Sequence, residues 1–241
     1  MSTFASSDDW VLHYWGPTFK GRGEFVRLLF EAAGVKYTEN NDGGKIVALN
    51  DMGGSLGEGL NYPSRFPPVV TGPDGYVCSQ TPAILWSLGR KFGMSPDDER
   101  NQTLAMQLNI TASDFIAEGR LAFHAKAPVG SYSTQAEETK PRIEWFRTSR
   151  LSDWLSHFEH CFANSTDKGA TYFFESKLTY VDIAIFHILN ATEAQFPEDW
   201  AKLKPSVPLL AAFHSRMKEI PRIKAYLESD RVKPWAGDSM M

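Results

Sequence analysis

The stretch that most constrains this chain is FPPVVTGPDGYVCSQTPAIL at residues 66–85. Proline lacks the N–H that a sheet ladder needs, so Pro67-Pro68 mark the beginning of a strand. Gly72-Pro73-Asp74-Gly75 is a hairpin signal between two short runs of strand formers. Thr81 followed by Pro82 reads as a helix start, an N-cap hydroxyl with proline at the first helical position. The stretch predicts strand, hairpin, strand and helix. It sets a proline-fixed strand entry facing a polar helix N-terminus.

Upstream, Val11-Leu12-His13-Tyr14 predicts a first strand, and Gly16-Pro17 ends it. From Arg22 to Ala33 the apolar residues Phe25, Leu28, Leu29, Ala32 and Ala33 recur at helical spacing, with Gly34 at the position of a C′ glycine. Val35-Lys36-Tyr37-Thr38 predicts a second strand, parallel to the first because a helix joins them. Residues 40–65 carry six glycines and no period, which predicts a long irregular connection of a kind usually functional or mobile. After Gly93-Met94-Ser95-Pro96 the character changes, and residues 97–126, 140–163, 179–194 and 207–228 all predict helix. Asp97-Asp98-Glu99 suits an acidic first turn. Thr179 with Asp182 reads as a capping box, with Leu178 and Ile183 as its hydrophobic staple. The nearly continuous apolar run that follows predicts a buried central helix.

The chain has 241 residues, 42% hydrophobic and 22% charged, the composition of a globular protein with ample length for a core. A net charge of −4 without a long basic run gives no reason to expect nucleic acid or an anionic membrane as partner. The N-terminus lacks the pattern of a secretory signal, and no stretch has the length of a membrane span. Cys78 and Cys161 are the only cysteines and form no CxxC, so a disulfide framework or a dithiol redox site is not expected. A cytoplasmic protein is the expectation. His157, His160 and Cys161 could share a helix face, but amphipathic packing through Trp154 and Phe158 accounts for the spacing better than zinc does, and no metal is expected. Trp145, Phe146 and Phe123 read as core or pocket wall. Trp235 and Met240-Met241 lie in a tail that could close over a pocket.

The order of these elements, the strand-entry proline, Gln80-Thr81 and the Thr179–Asp182 cap together resemble the cytosolic glutathione transferases. LHYWGPTFKGRGEFVRLLFEAAGVKY is similar to their tyrosine-type members (mu, pi, alpha and sigma), and VPLLAAFHSRMKEIPRIKAYLES also has the family's look. The resemblance covers about residues 10–230. It implies an α/β plus all-α fold, with a thioredoxin-like glutathione-binding domain at 10–94 and an all-helical domain with a hydrophobic substrate pocket at 97–230. It also implies a homodimer, and glutathione as co-substrate beside a small hydrophobic electrophile.

The resemblance implies site residues as well. Tyr14 aligns with the tyrosine that stabilises the glutathione thiolate, and a phenol suits that task because it donates a hydrogen bond while staying neutral. Thr18 is the runner-up, since other classes use a loop hydroxyl. Trp15 matches an indole that touches glutathione, and Arg22 an arginine that braces the tyrosine loop. Gln80 and Thr81 would hold the γ-glutamyl carboxylate at a helix N-terminus, where free amides and the dipole favour an anion. Phe66 and Pro67 adjoin the cysteinyl backbone. Pro68 is the better match to the family's cis-proline, which leaves Pro67 without the N–H that normally bonds glutathione. In the alternative, Pro67 is the cis residue and Phe66 makes that bond. Arg65 and Lys45 are the candidates for the glycine carboxylate. The rival functions are a glutathione-dependent isomerase using the same site, and a non-catalytic ligand-binding or structural relative.

Overall fold

The computed structural model describes residues 9–16, 18–50, 64–128, 130–165, 171–174, 177–237 and 239–240. Its N-terminal part is a four-stranded mixed sheet. β1 (Trp10–His13) pairs in parallel with β2 (Tyr37–Asn40) and antiparallel with β3 (Val69–Gly72), which pairs antiparallel with β4 (Tyr76–Ser79). The order β2-β1-β3-β4 is the thioredoxin-like sheet that the resemblance implies. Helix α1 (Gly23–Ala33) makes the crossover from β1 to β2. Gly34 closes it at φ 70°, a left-handed value that glycine adopts without a Cβ penalty. The amide of Val35 then bonds back to the Phe30 carbonyl at 3.0 Å. That bond keeps Val35 in the helix cap, so β2 starts at Tyr37 and not at Val35.

The connection after β2 is not wholly irregular. A short helix α2 (Gly43–Leu49) is capped by Asp42, whose carboxylate accepts from the amides of Gly44 and Lys45 at 2.9 and 3.1 Å. Residues 51–63 of the expected loop lie outside the described residues. Helix α3 (Thr81–Lys91) follows β4, but Gln80 occupies its N-cap and Thr81 is the first helical residue. The assignment of Thr81 as the cap is thereby corrected.

The remainder is helical. α4 (Glu99–Phe123) is capped by Asp98, which accepts from the Asn101 amide at 2.9 Å. α5 (Ala136–Trp145) begins one turn before the expected start at 140. Pro141 sits inside this helix on its exposed side instead of opening it. A π turn at Phe146–Arg150 then leads into α6 (Leu151–Ala163). α7 (Tyr180–Gln195) is the buried central helix, followed by a short α8 (Pro197–Leu203) that the spacing did not predict. The helix expected over 207–228 is two, α9 (Pro208–Lys218) and α10 (Pro221–Leu227). They part at Ile220, whose ψ of 123° is the extended conformation that a following proline imposes.

α7 holds the two halves together. Its first ten residues, Tyr180–Leu189, are all buried, and it packs on α1 and α3 on one side and on α4, α8 and α9 on the other. Its start is fixed by the expected capping box. Asp182 accepts from the Thr179 amide at 2.7 Å and the Thr179 hydroxyl at 2.6 Å, and its other oxygen accepts from the Phe173 amide at 2.9 Å. Phe123 and Phe146 are core residues, whereas Trp145 stands 41% exposed with the Arg142 guanidinium over its ring, so it is neither core nor wall. The tail is packed. Met240 is fully buried against Gly119 and Phe146. Met241 lies outside the described residues, among which no three metal-ligating side chains converge.

Three buried histidines set the acid limit of this fold. Burial lowers His13 to about 4 and His214 to about 3, and holds His187 well below its ordinary value. Each takes up a proton near pH 6.5 only after unfolding, so its contribution is complete above that pH and is lost as pH falls. Asp182 opposes them. Burial pushes its carboxyl up to about 6, so the fold keeps a proton there that the unfolded chain has released. Near pH 5 the net uptake on unfolding is about two protons, and the unfolding free energy should fall by roughly 3 kcal/mol per pH unit. Urea midpoints at pH 5 and 6 should show this slope, and His187→Phe should about halve it.

Candidate active site

The strand registers bring the expected residues into one row. Extending each pairing by a single position places Asn41 beside Tyr14, Tyr14 beside Pro68, and Pro68 beside Gln80 at one end of the sheet. The Asn41 amide nitrogen donates to the Tyr14 carbonyl at 3.0 Å, and the Tyr14 amide to the Asn40 carbonyl at 3.1 Å. The bond between Pro67 and Pro68 is cis, which settles the choice between the two prolines. Pro67 is buried and lacks an N–H, Phe66 is 45% exposed, and the exposed Arg65 lies with its guanidinium 5.2 Å from the Phe66 ring. With about 4.8 Å between strands, Tyr14 and Gln80 stand roughly 10 Å apart across Pro68. A tripeptide in extended form spans about that length.

Tyr14 is 4% exposed and its ring lies against the entry to α1. Two glycines make the room. A Cβ on Gly21 would fall 2.4 Å from the Tyr14 hydroxyl, and one on Gly23 would fall 2.8 Å from the ring. The hydroxyl oxygen accepts the Arg22 backbone N–H at 2.8 Å, so its own proton is directed elsewhere. Burial raises the phenol's pKa, against the opposing effects of that N–H and of the charges of Arg22, Arg27 and Arg120. A phenol so placed is neutral at physiological pH and has a proton to share with an anion.

The Arg22 guanidinium reaches away to the Ser113 hydroxyl on α4 at 3.0 Å, so its backbone, not its side chain, holds Tyr14. Thr18 is exposed on the loop, and Trp15 is half-buried against the core. Lys45 is exposed in the first turn of α2. Glycines 21 and 23 were legible as a G-x-G at the helix entry. Asn41, Ser113 and Arg120 carried no sequence signal, because only pairing and packing bring Asn41 to the Tyr14 carbonyl, Ser113 to the Arg22 side chain and the Arg120 charge within range of the phenol.

At the other end of the row, Gln80 has φ 70° and ψ 115°, left-handed backbone in a residue with a side chain. Thr81 is 4% exposed, and its hydroxyl has no hydrogen-bond partner among the described residues. It sits where a helix leaves its first amides without partners within the helix. Asn109 of α4 steadies this end by donating to the Pro82 carbonyl at 2.9 Å. Strain, an orphaned hydroxyl and a helix N-terminus together suit an anionic or strongly hydrogen-bonding group.

Residues 123–230 match the family model "Glutathione S-transferase, C-terminal domain". The glutathione S-transferase of Plasmodium falciparum is 28% identical over 223 residues, 91% of this chain and 95% of that one. Glutathione S-transferase alpha-2 of Rattus norvegicus is 27% identical over 229 residues, 95% and 92% of the two chains. The chain is similar to glutathione S-transferases along nearly its whole length. A solved structure titled prostaglandin synthase D, from Nilaparvata lugens, superposes with a TM-score of 0.69 at 21% identity, covering 93% of this chain and 99% of that one, and shows the same fold. The cis-proline row and the helix that faces it are set in a fold shared with solved glutathione S-transferase structures.

The strain at Gln80 has a measurable consequence. A left-handed non-glycine residue costs on the order of 1–3 kcal/mol, part of which glycine recovers. Gln80→Gly should raise the unfolding free energy by about 1 kcal/mol in urea titrations while removing the Gln80 amide from the row.

Proposed function

We propose that the protein is a glutathione transferase that binds glutathione along the Tyr14–Pro68–Gln80 row and transfers its thiolate to hydrophobic electrophiles. The observation that carries this reading is the Tyr14 hydroxyl, buried, neutral and already accepting the Arg22 N–H, at the end of a row of tripeptide length. Bound glutathione loses its thiol proton to solvent. Tyr14 keeps its own proton and donates the hydrogen bond to sulfur. A sulfur lone pair then forms the C–S bond at the electrophilic carbon, and the displaced group leaves with its electron pair or, in an addition, the receiving atom takes a proton from water. Lowering the thiol pKa by two units needs about 2.7 kcal/mol of preference for the anion. A charge-assisted hydrogen bond near a helix N-terminus is of that size.

The γ-glutamyl carboxylate goes to Gln80, the Thr81 hydroxyl and the open turn of α3, and the cysteinyl backbone runs beside Phe66 and Pro67. Pro67 forfeits one ligand hydrogen bond, about 1 kcal/mol net. Arg65 is the better placed cation for the glycine carboxylate, because it adjoins Phe66 while Lys45 stands on α2. Trp15 and Arg22 flank the thiolate end. Residues 10–94 form the glutathione-binding domain, and the helical domain of residues 97–230 walls the electrophile pocket. A cytoplasmic homodimer completes the reading. Free Cys78 and Cys161 suit a reducing compartment, and the exposed Phe66, Ile110 and Leu121 suit a subunit contact.

Retention on immobilised glutathione followed by a chromogenic electrophile assay tests the function, and loss of both would leave a ligand-binding or structural relative. Tyr14→Phe removes one hydrogen bond and keeps the ring. Its rate at neutral pH should fall roughly ten- to a hundredfold, about 1.4–2.7 kcal/mol, with the bound thiol's pKa rising toward its free value. Thr81→Ala should show the opposite division, weakening glutathione about fivefold or more with kcat nearly unchanged, since its contact is the same in ground and transition states. Full activity in Tyr14→Phe together with a dead Thr18→Ala would move the role to the loop hydroxyl.

A further inference from the structure

The C-terminal segment contacts the loop that precedes α1. The Lys20 amide donates to the Pro234 carbonyl at 3.0 Å, and the Lys20 ammonium lies 5.2 Å from the centre of the Trp235 ring. Trp235 in turn stacks on His187 of α7, with ring centres 5.6 Å apart and planes 8° apart. His187 is fully buried, and neither ring nitrogen has a hydrogen-bond partner among the described residues. The stack and an edge-on contact with Phe25 are its aromatic surroundings. Beyond Trp235 the segment is tied down again, by Gln195 donating to the Gly237 carbonyl at 3.4 Å and by buried Met240.

Lys20 opens the loop that carries the Arg22 N–H. Four consecutive bonds fix that loop. The Lys20 amide goes to Pro234, the Lys20 carbonyl accepts from Arg27 at 2.9 Å, the Gly21 carbonyl accepts from the Glu24 amide at 3.2 Å, and the Arg22 amide holds the Tyr14 hydroxyl at 2.8 Å. Only the first bond comes from outside the N-terminal part. Gly21 alone separates Lys20 from the Arg22 amide, and its φ of 53° and close approach to the Tyr14 ring leave no room for a side chain. Pro234 and Trp235 also border a cavity of about 540 Å³, together with Lys20, His187 and Lys218. Trp235 is half-buried and packs against the core.

We propose that residues 232–235 brace the tyrosine loop from behind, and that Trp235 is a positioning residue for the Tyr14 hydroxyl. Trp235 acts through Lys20 and the Arg22 amide. The proposal rests on the transferase reading for its effect on catalysis, but the brace itself is measurable without activity. In the unliganded full-length protein, amide hydrogen exchange followed by NMR should be at least about tenfold faster at Lys20 and Arg22 in Trp235→Ala. The Ile185 amide in α7 should change less than about twofold, and Trp235→Phe, which keeps a ring on His187, should restore the wild-type rates. In the active enzyme, the thiolate absorbance of bound glutathione should titrate about half a unit to one unit higher in Trp235→Ala, with KM for glutathione changed less than about twofold. Unchanged exchange at Arg22 overturns the proposal, and so does faster exchange with an unchanged thiol pKa. If the wild type binds no glutathione, the transferase reading fails, and the Arg22 exchange rate alone then decides for or against the brace.

Discussion

A buried charge cluster at the first turns of α1 is the interaction on which the rest depends. The Glu24 carboxylate receives the Lys20 ammonium at 2.8 Å, the Arg27 guanidinium at 3.2 Å and the Tyr226 hydroxyl at 3.0 Å. Arg27, fully buried, also bonds both oxygens of Glu39 at 3.0 and 2.9 Å. The cluster is balanced, two cations against two carboxylates, and that balance is what makes its burial tolerable. Removing one member would leave an uncompensated buried charge, a loss of about 3–5 kcal/mol. It joins three parts of the chain at one point: the loop that holds Tyr14, the strand β2 beside it, and α10 of the helical half. Through Lys20 and Arg27 the junction anchors the loop whose Arg22 amide holds the Tyr14 hydroxyl.

The other end of the candidate site is built on the opposite principle. Where the cluster satisfies every charge, the entry to α3 leaves Thr81 without a partner and holds Gln80 in left-handed backbone. A packed protein tolerates such local deficits at places where a ligand will complete them. The same helix N-terminus, if capped by Thr81 as the sequence suggested, would have had its first amides consumed. With Gln80 at the cap there is no side-chain cap bond to consume them.

Much of this was legible in the residues. The Pro67-Pro68 entry, the hairpin tetrad, the Gly34 stop and the Thr179–Asp182 box are local devices, and each reports on a backbone conformation within a few residues of itself. α2 was missed because it is seven residues long and its one signal, the Asp42 cap, is lost among glycines. The break between α9 and α10 was missed because the apolar spacing runs through it, although Pro221 marked it. The helix expected from 140 begins at Ala136, and Pro141 is an exposed interior position. The G-x-G of Gly21 and Gly23 was visible, but its reason, clearance for the Tyr14 ring, was not.

The sequence by itself determined the order of elements, their caps and the polar residue types at the sheet's end, because propensity, turn chemistry and hydrophobic period act over short range. Only the tertiary structure decided which of those groups meet. The row from Asn41 to Gln80 exists because three strand registers align. The Tyr14 hydroxyl finds a backbone amide because two glycines let a helix entry close on it. His187, Trp235 and Lys20 are separated by long stretches of chain and meet because α7 packs on α1 and the tail lays Trp235 against both His187 and Lys20. Such contacts are set by the burial of whole faces against one another, and no local pattern encodes which partner a face will find.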